Sequence, residues 1–152
     1  MINANRDQLR HSAQTKKDAA SELMRGNRLH PVPAVYLSHV ALECALKRRI
    51  LLKNGVKHID DLKRLLPGTI VDALFRGTKG HDLHHLAGTA HLRKYLAVYG
   101  NRSLLDQPEW QTMAGDRPYS LRYGIETVET GEAKKQVQFA ISLADLILKE
   151  AL

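Results

Sequence analysis

Residues 36–47 read Tyr-Leu-Ser-His-Val-Ala-Leu-Glu-Cys-Ala-Leu-Lys, an almost wholly apolar run that carries one glutamate, Glu43, with Lys47 one helical turn later. Extended to about residues 33–53, the pattern predicts a helix with two apolar sides. Leu37, Val40, Ala41, Cys44, Leu51 and Leu52 form one broad face, and Val35, Leu42, Leu46 and Ile50 form a second stripe. A helix that is apolar all round needs neighbours all round, so this segment is expected at the centre of a helical bundle. Lys47, Arg48 and Arg49 place positive charge in its C-terminal half, where the helix dipole favours it. Asn54-Gly55 supplies a stop.

The rest of the chain follows the same period. Residues 5–24 predict a helix with Leu9, Ala13, Ala20 and Leu23 near one face, ended by Gly26-Asn27 and followed by Pro31 and Pro33. Residues 58–66 and 69–75 predict two short helices, closed by Pro67-Gly68 and by Gly77. Residues 82–99 predict one longer helix with Leu83, Leu86, Ala90, Leu92, Leu96 and Tyr99 as its apolar contacts. Residues 101–124 are the least regular, with Trp110, Pro108 and Pro118, and predict a short helix and an ordered loop. From Gly131 to the C-terminus a last helix carries two apolar stripes: Val137, Ala140, Ile141, Ala144, Ile147 and Leu148 on one, Phe139, Leu143 and Leu146 on the other. No segment alternates in the manner of a strand. The expected fold is all-α, a bundle of about five main helices forming a single domain over residues 1–152.

Composition narrows the functional classes. Hydrophobic residues make up 43% of the chain and aromatics only 5%, so the core is expected to be built from Leu, Ala, Val and Ile. The formal charge of +7 suits an acidic partner such as RNA, DNA or a nucleotide, and is equally compatible with a soluble protein that happens to be basic. The one cysteine, Cys44, excludes an intrachain disulfide and a cysteine-based zinc site, and reads as a small core residue. The polar, charged N-terminus and the absence of a spanning run imply a cytoplasmic protein with no membrane association. Phosphate-binding glycine loops and nucleophile elbows are missing, and the tyrosines do not interleave with the basic residues as a stacking platform would. No cofactor is expected.

Glu43 and Lys47 have the spacing and orientation of a helical ion pair. Inside a bundle an unpaired Glu43 is costly, which makes Lys47, Arg122 and Tyr123 its candidate partners. Such a group is either a buried structural pair or the polar floor of a nucleotide-binding cleft. His81, His84, His85 and His91 form a local concentration, and His81 and His85 lie one turn apart as two zinc ligands would. A third donor is not identifiable, so no metal is expected. Asp82 fits the first turn of a helix, where an acid is favoured.

Three places in this order give the chain a family resemblance: Ser21-Glu22-Leu23 with residues 36–47, then Gly80-His81-Asp82-Leu83 opening a helix, then Trp110 followed by Leu121-Arg122-Tyr123. Together they order about residues 9–148, and they resemble the HEPN superfamily of small helical bundles that act around nucleotides and RNA. A second segment, His58-Ile59-Asp60-Asp61-Leu62, rivals His81 for the His-Asp-Leu position. The resemblance implies a non-catalytic domain that binds a nucleotide, an RNA or a nucleotidyltransferase-type partner protein, as in toxin–antitoxin pairs. The residues expected at the ligand are Glu43, His81, Arg122 and Tyr123. Catalytic members of the superfamily carry an Arg followed four to six residues later by a His. Here Arg76 with His81, and Arg25 with His30, have that spacing, and the alternative reading is a metal-independent ribonuclease. A third reading is a dimerisation module whose last helix forms the interface of a homo-oligomer.

Overall fold

The structure is a computed structural model that describes residues 4–75, 78–113, 117–122, 124 and 127–149. It opens on helix α1 (Arg6–Leu23) and the central helix α2 (Pro31–Lys53), which is followed by a 3-10 turn (Ile59–Arg64) and α3 (Gly68–Phe75). A second 3-10 turn (Thr78–His81) leads into α4 (Leu83–Thr89) and α5 (Leu92–Val98). A third 3-10 turn (Arg102–Asp106), α6 (Pro108–Thr112) and α7 (Arg117–Arg122) precede the last helix, α8 (Thr130–Lys149). The fold is an all-α bundle. Among the described residues it has three long helices and five short ones. The only β-type contact among them is an isolated bridge between Asn5 and His58.

Local chemistry explains the helix starts. The Asn5 side chain accepts a hydrogen bond from the Gln8 N–H at 2.9 Å, and the Gln8 side chain accepts one from the Asn5 N–H at 2.9 Å. This reciprocal capping satisfies two amide donors that the first turn leaves open. α2 starts at Pro31, two residues earlier than expected, because proline at the first helical position forgoes no hydrogen bond. Gly26, at φ +75°, and Gly55, at φ +67°, supply the left-handed turns after α1 and α2.

α2 is packed on by α1, α4, α7 and α8. Leu42, Leu46, Ile50 and Leu51 are fully buried, as the two-sided apolar pattern requires. Full burial of one such side chain stabilises by roughly 1.5–3 kcal/mol. A main core runs from Leu9 to Leu148, and a smaller cluster of Ala20, Ala34, Val35, Leu121, Ala133 and Val137 closes the other end of α1, α2 and α8. An ion pair between Lys17 and Asp145 ties α1 to α8, and Arg10 donates to the Leu148 carbonyl at 3.1 Å at the end of α8.

One expectation is corrected. The single helix over residues 82–99 is broken at His91, whose φ of 52° is left-handed. In a continuous helix Leu86 and Leu92 would stand about 120° apart around the axis. The break lets Leu83 and Leu86 of α4 and Leu92 and Leu96 of α5 all reach the core, where each is fully buried. In α8 both apolar stripes pack inward: Ala133, Val137, Phe139, Ala140, Leu143, Ala144 and Ile147 are buried within the chain, and Ile141 and Leu146 are half-buried against the core. Among the described residues the large exposed apolar side chains are Leu65, Ile70 and Val98, none of them on α8. None of the helices described is long and apolar enough to cross a membrane.

Candidate functional site

A polar column runs up one side of α2 at four-residue spacing: His39, Glu43 and Lys47, all buried. Lys47 donates from Nζ to Glu43 Oε1 at 2.6 Å, with the two side chains 2% and 7% exposed. The Lys47 ammonium also lies 5.7 Å from the centroid of the Phe75 ring at the end of α3.

The turn Thr78–His81 brings a fourth polar residue, His81, to this column. A Cβ built on Gly80 would stand 2.5 Å from the Leu74 carbonyl oxygen, so no other residue fits this approach of the turn to α3. The approach places His81 Nδ1 3.0 Å from Glu43 Oε2 and 3.2 Å from Oε1. His39 Nε2, one turn below Glu43, donates to the His81 carbonyl at 3.1 Å and fixes the backbone of the same residue. Asp82 then caps α4, accepting from the His84 and His85 N–H groups at 3.0 and 3.3 Å. It thus stands one residue ahead of the first turn that it was expected to occupy.

The electrostatics follow from this geometry. Burial pushes the Glu43 carboxyl upward, but the His81 hydrogen bond and the charge and hydrogen bond of Lys47 outweigh it and hold the group below its ordinary value. The hydrogen bond to Glu43 raises the His81 imidazole above its ordinary value, against its partial burial and the nearby positive charges of Lys47 and Arg122. The His81 side chain is 61% exposed. Its Nδ1 is held by the carboxylate, so the ring offers Nε2 to solvent. The arrangement is an imidazole with a fixed tautomer, a buried anionic anchor and a raised affinity for its proton. It can donate to an oxyanion or exchange a proton with a ligand.

The expected site residues fare differently. Glu43 and His81 are in direct contact. Arg122, exposed at the end of α7, acts on His81 through its charge, and α7 packs on α2. Tyr123 and Arg76 lie outside the described residues. His58 is elsewhere, bridged to Asn5 and 3.6 Å from Asp61, so His81 is the histidine that meets Glu43. Arg25 pairs with Glu22 at 2.6 Å on an exposed surface, and His30 stands at the start of α2. The histidine concentration is dispersed: the His84 ring packs on Trp110 at 5.0 Å between centroids, and His91 Nε2 lies 3.2 Å from Lys53 Nζ. Among the described residues no three His, Cys, Asp or Glu side chains converge as a metal set. Cys44 Sγ lies 3.6 Å from Ser12 Oγ, and burial pushes its thiol upward, which suits a core residue. Sequence reasoning missed His39, although its place four residues before Glu43 put it on the same column. No family model, curated protein or solved structure shows a significant match to this chain.

Proposed function

We propose that the chain is an HEPN-like helical module that binds the phosphate backbone of RNA at the surface formed by His81 and Arg122. The observation that carries this reading is the contact of His81 Nδ1 with the buried Glu43 carboxylate, which orients the exposed ring and favours its imidazolium form, in which Nε2 is also a donor. Glu43 itself is enclosed and fully engaged by Lys47 and His81, so it serves as the anchor and not as a ligand contact. The guanidinium of Arg122 adds a planar fork suited to phosphate, and the net charge of +7 favours encounter with a polyanion.

The test is fluorescence anisotropy with a labelled single-stranded RNA at fixed salt, for wild type, His81→Gln and Arg122→Gln. Both substitutions weaken binding while thermal unfolding shows the variants folded. Equal binding by all three proteins, or none by the wild type, overturns the reading.

The same contact favours a second reading. An imidazole oriented by a carboxylate is also the arrangement of a general acid or base, which a metal-independent ribonuclease needs at the ribose 2′-hydroxyl. Cleavage of the same RNA by wild type, abolished in His81→Gln, selects this reading over simple binding.

A further inference from the structure

The C-terminal half of α2 and helix α5 form an open cavity of about 280 Å³ on which the His81 reading makes no demand. Its cationic wall is Arg49 and Lys53 from α2 with Lys94 from α5, and His91 lies beside them. Among the described residues no carboxylate lines it. The Arg49 guanidinium lies 4.1 Å from the centroid of the Tyr95 ring, and its Nε and Nη1 are buried without a hydrogen-bond partner among the described residues. Lys53 Nζ is steered across the opening by the Thr89 carbonyl at 3.5 Å and by His91 Nε2 at 3.2 Å. His91 sits there with the left-handed φ of 52°, a conformation that costs free energy in a residue other than glycine.

Gathering these cations is unfavourable unless an anion completes the site, since a partly buried guanidinium without a counter-charge is costly. Three cations suit a phosphate better than a single carboxylate. The opposite side of the cavity is apolar. The Tyr99 ring packs tilted against Tyr95, at 4.9 Å and 56°, and Val98 is 75% exposed, the most exposed of the large apolar side chains described. A ligand that satisfies both sides has a phosphate next to a flat, poorly hydrated ring. The volume is at the small end of ligand cavities and suits one nucleotide unit.

We propose that this cavity binds a nucleotide unit, with its phosphate between Arg49, Lys53 and Lys94 and its base against Val98 and Tyr99. The unit comes either from a mononucleotide or from one residue of a single-stranded RNA. The two sources share this chemistry and are separated by titration.

The experiment is isothermal titration of the full chain with AMP, UMP, adenosine, inorganic phosphate and a short oligouridylate. Lys94→Glu and Val98→Asp change exposed side chains, and circular dichroism confirms that each variant is folded. Binding of AMP or UMP that falls about tenfold or more in both variants, and is unchanged in His81→Gln, supports the proposal with a free nucleotide as ligand. Oligouridylate binding with the same sensitivity to Lys94→Glu and Val98→Asp, in the absence of mononucleotide binding, supports it with RNA as the source. Adenosine, which lacks the phosphate, binds far more weakly than AMP. The proposal is overturned if neither ligand binds, if adenosine binds as well as AMP, or if both cavity variants bind as the wild type does. RNA binding lost in His81→Gln but intact in Lys94→Glu overturns it while leaving the His81 surface in place.

Discussion

Replacing Glu43 by Gln tests the physical centre of the molecule. The change is nearly isosteric, so it alters charge and leaves packing in place. Lys47 then retains its ammonium at a site where its side chain is 2% exposed, with a neutral amide where the carboxylate stood. The Phe75 ring, 5.7 Å away, contributes on the order of 0.5–2 kcal/mol and cannot replace a counter-charge. Breaking a buried pair by removing one partner costs about 3–5 kcal/mol. For a chain of this size that lowers Tm by roughly 6–20 °C. Urea unfolding near neutral pH measures the loss directly. The double variant Glu43→Leu/Lys47→Met removes both charges and leaves two apolar chains of similar volume. It is expected to recover most of the stability, because the enclosure no longer holds an unpaired ion. His81, largely exposed, loses its anchor in both proteins without leaving a buried charge behind. A cost under about 1 kcal/mol for Glu43→Gln, the range of a surface pair, would refute the account of an enclosed Glu43–Lys47 pair.

Two further outcomes follow from the same geometry. Gly80→Ala drives a methyl group onto the Leu74 carbonyl, a backbone atom that cannot give way, and is expected to cost about 1–3 kcal/mol and to displace His81. Gly131→Ala, with nothing within 4 Å, is its neutral or stabilising control, and equal Tm shifts for the two would contradict the close approach. The third outcome is a pH dependence. His81 is raised above its ordinary 6.5, so its contribution to stability is complete below that value and is lost as pH rises through the higher native one. Glu43 is lowered from 4.5, so its contribution is present above that value and is lost as pH falls through the lower native one. Tm profiles of wild type and His81→Gln therefore converge as the pH rises above 6.5, and parallel profiles across that range would remove the His81–Glu43 contact from the stability of the fold.

The three long helices and the all-α class were legible in the sequence because helix formation is local. Leu9, Ala13 and Ala20 recur at helical spacing, and Gly26 and Gly55 mark ends, each signal lying within the segment it governs. The central place of α2 was legible for the same reason, since apolar residues on both its sides can be satisfied in only one kind of position. Glu43 and Lys47 declared themselves as a pair through their spacing alone. What met them was decided elsewhere. His81 is 38 positions from Glu43 in the chain, and it arrives there because Gly80 admits a close approach to α3 and because His39 holds its carbonyl. Nothing in the local pattern of residues 78–81 distinguishes them from the rival histidine at position 58. The break at His91 was invisible for a related reason: residues 82–99 carry a tolerable helical period, and only the demand that two short apolar faces reach one core forces the turn. The basic cavity between α2 and α5 is a product of that same turn, because it sets Lys94, Tyr95 and Tyr99 opposite Arg49 and Lys53. Periodicity along one chain segment fixes which faces are apolar, whereas the meeting of charged side chains from different helices depends on how those faces pack.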